Sequence, residues 1–137
     1  MSKLDEFCNA WRPHALSVLR VMTGLLFLQH GTAKLLGFPA VPGMDNLDMM
    51  SPGGIAGYFE FAGGILLILG LFTRPVAFVL SGVMAAAYFI AHAPGSFFPI
   101  INQGELAVLY CFVFLYLAFA GGGVWSVDRL LKREKAN

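Results

Sequence analysis

The sequence predicts an all-α integral membrane protein, a four-transmembrane-helix bundle with both termini in the cytoplasm. Of its 137 residues, 58% are hydrophobic and only 12% are charged, whereas an average soluble domain is about 25% charged. Long apolar runs alternate with short segments that hold most of the prolines and basic residues. These observations indicate a single membrane domain over residues 1–137.

The predicted helices cover residues 15–36, 53–72, 75–92 and 104–120, followed by a short amphipathic surface helix over residues 126–135. The first is long enough to cross a hydrocarbon core of about 30 Å at about 1.5 Å per residue. Pro13 suits its first turn, and Trp11 with Arg12 is typical of an anchor at the membrane interface.

The connections between these helices predict how they pair. Residues 37–52 contain three prolines and no Lys or Arg, which indicates a loop. The turn at Thr73, Arg74 and Pro75 is so short that the second and third helices are expected to form an antiparallel hairpin. A second loop follows around Pro94, and the run Gly121–Gly123 ends the fourth helix.

The basic residues predict the orientation of the bundle. Seven of the nine fall on one side, in the termini and the short turn, and the loops on the other side have none: Lys3, Arg12, Arg74, Arg129, Lys132, Arg133 and Lys135. Because cytoplasmic loops of membrane proteins are enriched in Lys and Arg, both termini are expected in the cytoplasm.

Charge and cysteine content exclude several functions. The formal net charge of +1 gives no global field for nucleic acid. Cys8 and Cys111 lie far apart in the chain and form no Cys-x-x-Cys motif, so they are interpreted as structural. No metal site is predicted, because no His-x-x-His or Glu-x-x-His pair occurs on any predicted helix.

The second helix contains a single carboxylate, Glu60, among otherwise apolar or small residues. It shares a helix face with small residues at steps of four, three, four and three: Gly53, Gly57, Glu60, Gly64 and Leu67. Since an ionisable group in hydrocarbon costs at least about 2.5 kcal/mol, this face should pack against other helices. Glu60 is therefore expected to pair with Lys34 or His30 of the first helix.

Other ionisable groups are expected near Glu60. At the helical rise, His30 is predicted about 9 Å and Glu60 about 10 Å below the outer surface. His92 follows a face of small residues on the third helix and is expected to pair with Glu105. Arg20 lies in the inner half. The functional interpretation is an outward-facing polar pocket, and the structural alternative is an ion-pair network that only fixes helix packing.

Candidate roles follow from the chemistry of each group. Glu60 and His30 are the candidate catalytic residues, because both titrate and can move protons. The candidate substrate-binding residues are Arg20, Lys34, His92, Glu105 and Tyr88. The alternative for Arg20 is that its side chain reaches the cytoplasmic headgroups and serves only as an anchor. The alternative for Lys34 and Glu105 is that their side chains extend to the nearby membrane interface.

The chain resembles the DoxX family over nearly all of residues 15 to 130. The resemblance is carried by Leu19-Arg20-Val21, Phe27-Leu28-Gln29-His30-Gly31, Lys34-Leu35, the run from Gly63 to Arg74, His92 and Gly104-Glu105. It implies a four-helix protein of the bacterial cytoplasmic (inner) membrane. Relatives in that family act as subunits of a thiosulfate:quinone oxidoreductase, and others are linked to thiol-oxidative or quinone stress.

The expected function is a membrane subunit of an oxidoreductase system whose pocket engages a quinone or similar small redox molecule. No intrinsic cofactor is expected, so a bound quinone or a partner would carry the electrons. The expected partners are the lipid bilayer, an oxidoreductase subunit and a second copy of the chain. The alternatives are a proton or small-solute transporter and a non-catalytic assembly subunit.

Overall fold

The computed structural model describes residues 2–44 and 46–134, and these ranges contain helices and no strand. The α-helices are α1 (Lys3–Leu36), α2 (Pro52–Leu69), α3 (Thr73–Ala87), α4 (Pro99–Asn102), α5 (Glu105–Ala120) and α6 (Val127–Glu134). A π-helical segment, Tyr88–His92, continues α3. The all-α prediction is confirmed. The predicted end of the last helix, at residue 135, lies outside the described residues.

Two described segments are long and apolar enough to cross a membrane, namely Pro52–Leu69 and Thr73–His92. Helix α5 is also apolar but has 16 residues. The four-span arrangement and the cytoplasmic location of both termini stay predictions.

Helix α1 begins at Lys3, well before the predicted start at residue 15. The Ser2 hydroxyl accepts a hydrogen bond from the Asp5 N–H, and the Asp5 carboxylate accepts one from the Ser2 N–H at 2.9 Å. This reciprocal cap satisfies two donors that the helix end leaves free. Pro13 lies inside the helix, where a proline removes one backbone hydrogen bond. The prediction that Pro13 starts the helix is therefore wrong.

The turn between α2 and α3 comes earlier than predicted. Helix α2 ends at Leu69 because Gly70 adopts a left-handed conformation with φ of 67°, which glycine reaches without steric cost. Helix α3 then begins at Thr73. A short unpredicted helix, α4, precedes α5.

The long helices form two tightly packed pairs, α1 with α2 and α3 with α5. The contact between α2 and α3 joins these two pairs. The buried core between them is apolar: Phe27, Leu67, Ala77, Leu80, Met84, Tyr110, Phe114 and Leu117. Large apolar side chains such as Phe78, Phe112 and Phe119 are exposed on the outside. An apolar surface around an apolar core is what a lipid environment requires.

Glycines bring the backbones of α1 and α2 together. A methyl group on Gly31 would lie 2.7 Å from the Phe61 Cα, and one on Gly64 would lie 2.9 Å from the Leu28 Cα. Such close approach is typical of helix pairs in membranes. The predicted packing face of the second helix is confirmed for Gly57, Glu60, Gly64 and Leu67, which are buried, whereas Gly53 is half-buried. This packing sets the position of Glu60 relative to α1.

Candidate functional site

An ion pair joins α1 to α2 inside the bundle. Lys34 Nζ lies 2.7 Å from Glu60 Oε1, and Glu60 is only 5% exposed. The prediction that Glu60 pairs with a basic residue of the first helix is confirmed, with Lys34 as that residue. The second carboxylate oxygen, Oε2, is buried and has no hydrogen-bond partner among the described residues.

Two aromatic groups lie beside this pair. His30 is one turn before Lys34 on α1, and its ring meets Tyr110 of α5 edge to face with the centroids 6.3 Å apart. Tyr110 is buried, and its ring also meets Phe27 of α1, with the centroids 5.3 Å apart. Neither the His30 imidazole nor the Tyr110 hydroxyl makes a hydrogen bond to any other described residue. The site is thus Lys34, Glu60, His30 and Tyr110.

Tyr110 was missed by the sequence reasoning. It belongs to the buried face of α5, with Ala107, Phe114 and Leu117, at steps of three, four and three. That periodicity is visible in the sequence, and it identifies the face of α5 that packs inward.

A second polar cluster lies at the π-helical segment and is separate from the first. The Tyr88 hydroxyl donates to the Phe97 carbonyl, and Asn102 Nδ2 donates to the Tyr88 oxygen at 3.2 Å and to the Ser96 carbonyl at 2.6 Å. His92 stacks on Tyr88 and has Nδ1 3.1 Å from the Asn102 carbonyl oxygen. These contacts fasten the loop between α3 and α5.

The expected pair between His92 and Glu105 is wrong. The unpredicted helix α4 places the Asn102 carbonyl beside the histidine, and Glu105 is exposed in the first turn of α5. Of the residues predicted to converge, Lys34 and Glu60 form the ion pair, and His30 lies one turn before Lys34 on α1 against Tyr110. Tyr88 and His92 belong to the loop cluster, and Glu105 belongs to neither.

Arg20 lies at the other end of the bundle and is completely buried. Its Nε donates to the Gly122 carbonyl at 2.8 Å, and its Nη1 donates to the carbonyls of Ile68, at 2.8 Å, and Leu67. Its Nη2 donates to the Trp125 carbonyl. Arg20 thereby caps the C-terminus of α2 and holds the glycine run in place, because the last carbonyls of a helix have no partner within it.

The same end contains two further helix caps that sequence reasoning did not identify. Both carboxylate oxygens of Asp128 accept backbone N–H groups, from Phe72 and Thr73, each at 2.8 Å. Arg74 Nη1 donates to the Ala118 carbonyl at 3.3 Å and to the Phe119 carbonyl. These contacts join residues more than forty positions apart.

No group of three His, Cys, Asp or Glu side chains within residues 2–44 and 46–134 is arranged to hold a metal ion. The chemistry that the site offers is therefore that of an ammonium group, a carboxylate, an imidazole and a phenol in apolar surroundings. Such groups donate hydrogen bonds and exchange protons.

The two apolar segments of membrane length and the apolar outer surface of the bundle are those expected of an integral membrane protein. The chain belongs to the DoxX family, whose model matches residues 15–93. It is a protein of the bacterial inner membrane.

The relatives agree with this assignment. The chain is 48% identical to an uncharacterized protein of Haemophilus influenzae, over 93% of this chain and 96% of that protein. It is 27% identical to the inner membrane protein YqjF of Escherichia coli, over 85% of this chain and 92% of the relative. It is also 27% identical to the putative oxidoreductase CatD of Bacillus subtilis, over 88% and 89% of the two chains. No solved structure matches the chain.

Proposed function

We propose that the protein is a membrane subunit of an oxidoreductase system, and that Glu60, Lys34, His30 and Tyr110 form a site for a quinone or similar small redox molecule. The observation that carries the proposal is the buried Glu60 Oε2 atom without a hydrogen-bond partner. Buried carboxylate oxygens are rarely left in that state. An ionisable residue inside a membrane protein is a functional candidate by default.

The donor set fits a quinone. A quinone ring presents two carbonyl oxygens, which accept hydrogen bonds, and it takes up protons as well as electrons when it is reduced. Lys34, His30 and Tyr110 are donors of three kinds within one region. The unpaired Glu60 oxygen can accept a hydrogen bond and a proton from the hydroxyl of the reduced ligand, and His30 can exchange protons with it. A bound quinone supplies the electron chemistry, and a partner subunit carries the electrons to or from it.

Access to this site is proposed along the contact between α1 and α5. These two helices touch over a much shorter length than α1 and α2 do, and His30 is partly exposed there. A ligand with an apolar tail would approach from the lipid and meet His30 first. Sequence similarity to CatD, the relative named as a putative oxidoreductase, supports the same class of function.

A second candidate is a non-catalytic subunit in which the ion pair only fixes helix packing. The observation in its favour is the closed Lys34–Glu60 contact of 2.7 Å. Two grooves in the described part of the chain are also lined by other residues than Glu60. A transport path from Arg20 to Glu60 has no such support. Phe27 on α1 and Leu67 on α2 come between them, each at most 1% exposed.

The experiment compares Glu60→Gln with Glu6→Gln, which is the same change at an exposed position in the first turn of α1. Gln keeps the shape of Glu but cannot take up a proton. For each variant, binding of a short-tailed quinone and thermal stability are measured in detergent. Loss of quinone binding by Glu60→Gln at temperatures where the variant stays folded, with binding kept by Glu6→Gln, supports the redox site. Loss of stability with binding retained contradicts it and supports the packing role.

A further inference from the structure

A groove of about 580 Å³ opens at the end of the bundle where α2 turns into α3. We call it the Thr73 groove. Its lining comes from α1, the α2–α3 turn, the glycine run after α5, and α6: Pro13, Leu16, Phe72–Pro75, Ala120–Gly123, Ser126, Asp128, Arg129, Leu131 and Lys132. None of the residues in the proposed redox site belongs to this lining.

The groove is electropositive. Arg74, Arg129 and Lys132 are three exposed cations in its lining, and none of them forms an ion pair with another described residue. The one carboxylate in the lining, Asp128, already accepts two backbone N–H groups. Arg74 Nη1 is engaged by the carbonyls of Ala118 and Phe119. The charged groups that remain available to a ligand are therefore those of Arg129 and Lys132 and the other nitrogens of Arg74.

The floor of the groove contains an unsatisfied hydroxyl. Thr73 is fully buried, and its Oγ1 has no hydrogen-bond partner among the described residues. Buried hydroxyls are nearly always hydrogen-bonded, so an acceptor or donor from outside the chain is expected there.

Two glycines pack closely against these groups. A methyl group on Gly122 would lie 2.9 Å from Thr73 Oγ1, and one on Gly121 would lie 3.3 Å from Arg74 Nη2. A side chain at either position would therefore press on the hydroxyl or on the guanidinium and displace it.

We propose that the Thr73 groove binds a phosphate-bearing anion through Arg74, Arg129, Lys132 and the Thr73 hydroxyl. Guanidinium and ammonium groups are the usual partners of phosphate oxygens, and a hydroxyl adds a donor. The chemistry is shared by the headgroup of an anionic phospholipid and by free phosphate.

The groove's apolar wall favours the lipid source. Leu16, Phe72 and Leu131 lie beside the cations, where they suit the glycerol and the first methylene groups of a lipid. Trp125 is exposed at the same end, and tryptophans concentrate at the depth of the headgroups.

The test uses delipidated full-length protein in neutral detergent, titrated separately with phosphatidylglycerol, phosphatidylcholine of the same chains, and inorganic phosphate. Binding is followed by native mass spectrometry and by the shift in thermal stability. The informative variant combines Arg129→Gln with Lys132→Gln and so removes two of the cations that line the groove. Its control is Lys3→Gln with Arg12→Gln, which removes the same charge from exposed positions outside the groove.

We expect phosphatidylglycerol to bind more tightly than phosphatidylcholine, and the groove variant to lose about tenfold in affinity while the control loses little. Thr73→Val removes only the hydroxyl and should weaken binding without lowering the stability of the unliganded protein. Binding of inorganic phosphate alone, lost in the same variants, supports the anion site with a soluble source. Equal affinity for the two lipids without phosphate binding, or equal losses in groove and control variants, overturns the proposal.

Discussion

The Arg20 side chain donates a 2.8 Å hydrogen bond to the carbonyl of Gly122, 102 residues later in the chain. The contact joins the first long helix to the segment that follows the last one. The same guanidinium also caps α2, so one side chain fixes three segments at this end of the bundle. Its donors are engaged by backbone carbonyls, which explains how a fully buried cation is tolerated without a paired carboxylate.

Replacing Arg20 with Leu should destabilise the protein by about 3 to 5 kcal/mol, because several buried carbonyls lose their donor at once. Arg20→Lys should recover only part of this loss, since an ammonium group lacks the planar fork of donors. Unfolding in detergent measures both variants. An Arg20→Leu variant as stable as the wild type would contradict the capping role.

Lys34 and Glu60 should behave as a coupled pair. Lys34→Met alone leaves a buried carboxylate without its cation and should cost about 3 to 5 kcal/mol of unfolding free energy. Adding Glu60→Gln to Lys34→Met should restore much of the loss, because the unpaired charge is gone. A double-mutant cycle measures this coupling, and additive effects of the two changes would show that the contact contributes nothing to stability.

Gly31 and Gly82 should respond in opposite directions to the same substitution. Gly31→Ala places a methyl group 2.7 Å from the Phe61 Cα, which forces α1 from α2 and should cost about 1 to 3 kcal/mol. Gly82→Ala meets nothing within 4 Å and should stabilise α3 by about 0.5 to 1 kcal/mol, the difference in helix propensity. Thermal unfolding measures the stability of the two variants. Equal changes in stability would exclude close packing at Gly31.

The orientation predicted from basic residues is tested with reporter fusions. A reporter placed after residue 137 should be active only in the cytoplasm, and one placed within residues 37–52 should be active only outside it. Cytoplasmic activity of the loop fusion would reverse the orientation and place the Lys34–Glu60 site in the inner half of the membrane.

The Lys34–Glu60 pair was predictable because two rules apply to it directly. A carboxylate in an apolar helix needs a partner, and the helical period places the glycines of α2 on the same face. Only two basic groups were available at the right depth, Lys34 and His30. The contact with Lys34 then follows from the close approach of the helices at Gly31 and Gly64.

The loop contacts were not predictable from such rules. His92 meets a backbone carbonyl of Asn102, and every residue has a carbonyl, so the sequence carries no signal for this partner. Asp128 caps α3 from 55 residues away, which local patterns do not report. The early start of α1 could have been predicted, because Ser2 followed by Asp5 three residues later is a recognisable capping pattern.

The long separation between Arg20 and its carbonyl partners also bears on how the protein is made. At a synthesis rate of about 5 to 20 residues per second, the segment that holds Gly122 emerges about 5 to 20 seconds after Arg20. The α2 carbonyls of Leu67 and Ile68, 47 and 48 residues after Arg20, emerge earlier in that interval, so part of this hydrogen-bond set can form before Gly122 is made. The full set of Arg20 hydrogen bonds is therefore completed only after the segment that holds Gly122 and Trp125 has been synthesised.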